Sequence, residues 1–168
     1  MSGIRVKSKD IFKIEVNDKG EYIEFDLSDV SLTFKCYEAI EKIEKITKEA
    51  SKKEKELLEI IIKEDPNVFD TQAKKDYAKL KHESCMKMRE AMDGFLGENA
   101  CQKIFGNYND FDMFELLFEE FEKPREELDG KSYFDKIQIK SGDLDKRFKE
   151  KYSKNKKVVI WCIQNMPK

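Results

Sequence analysis

Apolar and polar residues alternate in two short segments near the N-terminus, residues 11–16 and 21–27. An alternation of period two predicts β-strands that each carry one apolar face. The intervening Asn17-Asp18-Lys19-Gly20 suits a tight turn, because Asn and Asp tolerate bent backbone positions and Gly accepts a positive φ. We therefore predict a β-hairpin, which must rest on another element because a lone hairpin is marginal in water. Its predicted apolar face comprises Phe12, Ile14, Val16, Ile23, Phe25 and Leu27.

From residue 31 onward the apolar residues recur every three or four positions, which is the spacing of an amphipathic helix. The stretch Leu27-Ser28-Asp29 precedes this pattern and offers helix-capping oxygens, and no Gly or Pro follows until Pro66. The pattern predicts a helix over residues 31–64, roughly 50 Å long at 1.5 Å per residue. Its middle, residues 48–56, is almost wholly charged. We interpret that stretch either as a solvated overhang of one helix or as a kink between two.

Three further helices are predicted after the break at Pro66. Asp70 or Thr71 can cap the first of them, which carries an apolar stripe and ends at Gly94 and Gly97. A short helix over residues 98–105 comes next, and the glycine after it suits a helix end.

The last predicted helix, residues 111–121, is the densest aromatic segment of the chain. The aromatic side chains on the apolar face of this helix must be buried in the core or against a partner. The predicted fold class is α+β, mainly α, with an N-terminal β-hairpin packed on a helical bundle and a small C-terminal extension. The apolar face of this helix consists of Phe111, Phe114, Leu117, Phe118 and Phe121.

The charge pattern changes near Pro124. Residues 108–130 hold nine acidic and two basic side chains, whereas residues 146–157 hold seven basic and one acidic. We predict a helical domain with the hairpin over residues 1–123 and a C-terminal extension over residues 124–168. The apolar run at residues 158–163 is typical of a strand, which could pair with residues 137–140 or with the hairpin.

Composition excludes several classes of protein. The 168 residues include 33 basic and 35 acidic side chains, and twelve Phe disfavour disorder. No apolar stretch approaches the roughly 20 residues of a membrane span, and the first ten residues lack the apolar core of a signal peptide. We therefore expect a cytoplasmic protein that does not associate with membranes. Its four cysteines, without any CxxC pair, are expected to be free thiols rather than zinc ligands.

Candidate catalytic groups are few. His82 is the one histidine, and its neighbours Lys81 and Glu83 are typical of a helix surface. Cys101 is expected to be a buried structural thiol, and acidic pairs such as Asp110 and Asp112 are expected to serve capping and solubility. The chain has no glycine-rich phosphate loop. We predict no catalytic residue, no metal site and no cofactor.

The basic segment at residues 146–157 suggests one alternative function, which is binding to nucleic acid. Cations interleaved with Phe148 and Tyr152 could bind phosphates and stack on bases. The acidic balance of the whole chain and the acidic block upstream disfavour this interpretation. The candidate nucleic-acid-binding residues are Lys146, Arg147, Lys149, Lys156 and Lys157.

Three stretches in fixed order resemble a known family. They are Val-Asn-Asp-Lys-Gly-Glu-Tyr-Ile-Glu-Phe-Asp at residues 16–26, Tyr-Glu-Ala-Ile-Glu-Lys-Ile at residues 37–43, and residues 92–106, which contain Phe-Leu-Gly-Glu and Lys-Ile-Phe-Gly. Together with the Phe-rich helix they resemble small phage proteins of Gram-positive bacteria, encoded in the tail regions of siphophages and related tail-like particles, which look like tail assembly chaperones. The resemblance covers residues 11–122. The chain departs from it after Pro124, where the extension has no counterpart.

The resemblance implies a binding role. Such chaperones coat the tape measure protein, a long helical chain prone to aggregation, and help to recruit tail tube subunits. Amphipathic helices with Met-rich and Phe-rich faces can dock an extended helix, although each such side chain is also a candidate for the core. The sequence leaves open whether the protein forms a homo-oligomer. The alternative to a chaperone is a structural or regulatory component of a phage-like particle. The predicted partner-binding residues are Met88, Met92, Phe95, Phe111, Phe114, Phe118 and Phe121.

Overall fold

The N-terminal segment forms the predicted hairpin. In the computed structural model, which describes residues 11–27 and 29–137, strands β1 (Ile11–Glu15) and β2 (Tyr22–Asp26) pair antiparallel. The turn closes with a hydrogen bond from the Gly20 amide to the Asn17 carbonyl at 3.2 Å, and Gly20 has a φ of +72°. Lys13 and Glu24 face each other across the strands on the solvent side, where the ammonium of Lys13 lies 2.6 Å from a carboxylate oxygen of Glu24. The opposite, apolar side rests on the helices.

Two long helices pack side by side as an antiparallel helical hairpin. Helix α1 (Val30–Ile61) begins at the cap Asp29, whose carboxylate accepts from the Ser31 amide at 2.9 Å. It has 32 residues, so the charged middle continues as one helix of about 48 Å rather than dividing two. Helix α2 (Gln72–Leu96) begins at Thr71, whose hydroxyl accepts from the Lys74 amide at 3.4 Å. Of the two predicted caps, Thr71 is the one used.

Shorter elements complete the described chain. Helix α3 (Ala100–Phe105) ends at a glycine with φ +58°, as the sequence predicts, and α4 (Asp112–Glu122) follows. The amide of Asp112, the first residue of α4, donates to the Asp110 side chain at 3.2 Å, whereas the N-cap residue Phe111 has no capping side chain. A 3-10 turn (Glu126–Leu128) and the short α5 (Tyr133–Lys136) come last, and α5 starts with a reciprocal capping box between Ser132 and Asp135.

One apolar core joins these elements. It lies where the hairpin, the first half of α1, the second half of α2 and helices α3 to α5 meet. Phe25 of β2 stacks on Phe95 of α2 at 5.8 Å between ring centroids, and Phe12 meets Tyr133 of α5 edge-on at 5.3 Å. The predicted fold class is thereby confirmed: a mainly α fold of the α+β class with its β-hairpin packed against helices.

The core continues past the boundary predicted at residue 123. Leu128, Tyr133, Phe134 and Ile137 are buried in the same cluster as the helices before them. Phe134 stacks on Phe118 at 6.0 Å, so α5 is part of the packing that holds α4. The first residues of the predicted extension therefore belong to the core. The strand predicted at residues 158–163 lies outside the described residues.

Candidate partner-binding surfaces

The seven predicted partner-binding side chains face the core. Three lie on α2, where Met88, Met92 and Phe95 are buried, and four lie at or on α4, where Phe114, Phe118 and Phe121 are buried as well. Phe111, the residue before α4, is half-buried and packs against the cluster.

Aromatic contacts explain why these side chains turn inward. The ring of Phe95 lies 6.2 Å from that of Phe121, and Phe105 meets Phe114 edge-on at 5.7 Å. Burying a large apolar side chain contributes about 1.5–3 kcal/mol, and a chain this rich in charge has few other residues for a core. In the described structure these side chains lie in or against the core, so a partner could contact the buried ones only by opening it.

Phe111 has a role of its own. The ammonium of Lys81 lies 4.3 Å from the centre of its ring, in a cation–π contact between α2 and the start of α4. Lys81 also reaches Glu54 on α1 at 3.3 Å. This lysine therefore links three elements at the edge of the core.

Arg89 is a buried residue that the sequence analysis did not single out. One terminal nitrogen donates to the carbonyl of Tyr108 at 2.8 Å and to the side chain of Asn109 at 3.0 Å. The other donates to the carbonyl of Gly106 at 2.6 Å and to the side chain of Gln102 at 3.1 Å. Its guanidinium thereby holds the end of α3 and the loop before α4. Its spacing of four from Cys85 and of three from Met92 placed it on the apolar side of α2, which was the available signal.

The three described thiols are protected by burial. Removal from water raises the pKa of Cys36 to about 12 and that of Cys85 to about 11. Burial together with the nearby Asp93 carboxylate also raises the pKa of Cys101. Thiolates, not thiols, act as nucleophiles, so these cysteines are inert near neutral pH in the folded protein.

Other polar candidates lie apart from one another. His82 is exposed on α2. Within residues 11–27 and 29–137, no three His, Cys, Asp or Glu side chains come together as metal ligands would. No helix in the same part of the chain is both long and apolar enough to cross a bilayer. The candidate nucleic-acid-binding residues Lys146, Arg147, Lys149, Lys156 and Lys157 lie outside the described residues.

Apolar side chains on the surface form two groups that the sequence analysis missed. The first, which we call the helix stripe, consists of Val30, Phe34 and Tyr37 on α1. Their spacing of four and three places them on one side of the helix, out of phase with the buried Leu32, Cys36 and Ile40. That offset in phase was a usable signal.

The second group, the hairpin tip, lies at the far end of the helical hairpin. It consists of Ile60, Ile62, Val68 and Phe69, and Phe69 is 86% exposed. The connecting loop is held in shape, because the ammonium of Lys74 donates to the carbonyls of Asp65 and Val68. An apolar pair directly after the Pro66 break was the signal in the sequence.

Comparisons with models of protein families, with curated proteins and with solved structures found no match.

Proposed function

We propose that this protein is a non-enzymatic assembly chaperone of a phage tail or a related tail-like particle, acting in the cytoplasm of the bacterial host. In this proposal it binds the tape measure protein and assists assembly of the tail tube protein around it. The proposal rests on the resemblance over residues 11–122.

The observation that carries the proposal is the hairpin tip. Exposing large apolar side chains to water is unfavourable. A group of them on a protein surface therefore marks an interaction site more often than a lone exposed residue does. A helical client presents apolar side chains along one face, which can cover such a group. Moving Phe69 from water into that contact would contribute about 2 kcal/mol.

The tip replaces the buried Met and Phe residues as the client-binding surface in this proposal. It lies at the end of a two-helix projection, and no residue of α1 beyond Ala50 is buried. A client could therefore be held by the tip without disturbing the core. The charged sides of the projection would keep the complex in solution while the client is unassembled.

Co-expression with a tape-measure-like protein encoded nearby tests the proposal. We expect the client to become soluble and to co-purify at a defined stoichiometry with the wild-type chain. The double variant Val68→Asp with Phe69→Asp should lose at least tenfold in co-purified client. Leu116→Asp is the matched control, because Leu116 is also exposed but lies on α4, and it should retain the client.

Two outcomes would reject the chaperone function. One is a client that stays insoluble with the wild-type chain. The other is a purified chain that forms a stable closed oligomer and binds no client, which would favour the alternative of a structural component of the particle. Binding to nucleic acid that weakens steeply with salt would instead favour the basic segment at residues 146–157.

A further inference from the structure

The helix stripe is an apolar surface on an otherwise well-packed part of the molecule. Val30 is 89% exposed, Phe34 64% and Tyr37 45%, although the opposite side of the same two turns of α1 is buried in the core. Three large apolar side chains on one side of a helix are typical of a surface that another segment covers.

The described chain ends beside this stripe. Ile137 is buried in the core, and its carbonyl accepts a hydrogen bond from the hydroxyl of Thr33 at 2.8 Å. Thr33 precedes Phe34 on α1 and lies one turn before Tyr37. The last described residue therefore lies at the edge of the stripe, and residues 138–168 follow it in the sequence.

The remaining chain contains a segment of matching character. Residues 158–163 read Val-Val-Ile-Trp-Cys-Ile, a run of six apolar residues. Residues 138–157 connect this run to Ile137 and could span up to about 65 Å when extended. The stripe from Val30 to Tyr37 is only about 10 Å long, so the connection allows the run to reach every part of it.

We propose that residues 158–163 dock in cis on the helix stripe of Val30, Phe34 and Tyr37. Both surfaces are apolar, so their contact removes both from water. Because the run is tethered next to the stripe, its effective concentration there is in the millimolar range, which favours it over a segment of another molecule. This inference concerns a surface separate from the hairpin tip and does not rest on the proposed function.

Trp161 provides a direct test, since it is the one Trp of the chain and lies within the docking segment. In the full-length wild-type chain we expect a blue-shifted Trp emission and weak quenching by acrylamide. Phe34→Asp should shift the emission to the red and raise the quenching constant severalfold. Phe69→Asp is the matched control: it places the same charge at an exposed Phe on the hairpin tip, and it should leave the Trp signal unchanged.

The variant is expected to fold, because the Phe34 side chain is mostly exposed and contributes little to the core. Far-ultraviolet circular dichroism verifies this, and Val30→Ser with Tyr37→Ser provides a second variant that introduces no charge. Three results would overturn the proposal. They are a solvent-exposed Trp161 in the wild-type chain, a buried Trp161 that neither stripe variant affects, and a burial that is lost on dilution, which would assign the stripe to a second copy.

Discussion

The two halves of the helical hairpin are built on different principles. The proximal half, residues 30–50 of α1 and 84–96 of α2, contributes fifteen of the sixteen buried residues of the two helices, seven from α1 and eight from α2. The distal arm, residues 51–83, buries Ala73 alone. The two helices thus bury many side chains between them in the proximal half and almost none in the distal arm.

Polar contacts hold the distal arm together. Glu54 accepts from the hydroxyl of Tyr77 at 3.0 Å and from the ammonium of Lys81 at 3.3 Å. At the start of α2, the hydroxyl of Thr71 donates to Glu64 at 2.5 Å. Because Glu, Lys and Leu are strong helix formers, the arm stays helical with little burial. Helix continuity in the arm therefore depends on local propensity, whereas stability in the proximal half depends on burial, and we expect the arm to open locally before the core does.

A matched pair of truncations on α1 should show the largest difference between the halves. Ile43 is buried in the proximal half, and Leu57 is half-buried in the distal arm. Ile43→Ala should lower the free energy of unfolding by about 4 kcal/mol through lost burial and a cavity, and Leu57→Ala by about 1 kcal/mol. Urea unfolding measures both values. Equal costs would mean that the distal arm is packed as tightly as the core.

The second largest effect should come from Arg89. Arg89→Met removes the donors to the carbonyls of Gly106 and Tyr108, which then lack these partners in a part-buried site. We expect a loss of about 2–3 kcal/mol in the free energy of unfolding. Lys87→Met, an exposed change two residues earlier, is the control and should cost less than about 0.5 kcal/mol. Similar results for both variants would contradict the role assigned to the guanidinium.

A smaller and local effect is expected in the distal arm. Glu54→Ala removes the acceptor shared by Tyr77 and Lys81, which we expect to favour local opening by about 1 kcal/mol. Amide hydrogen exchange of residues 51–61 should then accelerate about fivefold, while exchange in the proximal half stays unchanged. Glu56→Ala, an exposed neighbour, serves as the control. Acceleration spread evenly over both halves would show that they open as one unit.

The smallest effect on stability should occur at the hairpin tip. Phe69→Ser replaces a side chain that is 86% exposed, so the free energy of unfolding should change by no more than about 0.5 kcal/mol. Thermal unfolding of the purified chain checks this value. A clear destabilisation would mean that Phe69 supports the arm, and the co-expression test would then need a different tip variant.

Local features of this chain were predictable from sequence because they depend on neighbouring residues. Gly20 permits the left-handed backbone position that closes the β-turn, and Asp29 offers its carboxylate to the Ser31 amide in the first turn of α1. The alternation of residues 11–16 likewise specifies which side of the hairpin is apolar. Each of these features involves groups within a few positions of one another, so no distant partner is needed.

The placement of surfaces was decided by the tertiary structure. An amphipathic pattern on α2 and α4 indicates that Phe95 and Phe121 must be buried, but the ring that packs against both of them is Phe25, which lies in the β-hairpin far away in the chain. The same holds for Phe34, which is apolar in sequence and is left exposed because α1 turns a different side to the core. From the sequence alone the hairpin and helices α1 to α4 could be predicted, whereas the 3-10 turn and α5 could not, because their packing depends on distant residues. Which faces meet was decided only in three dimensions, because burial depends on contacts between distant segments.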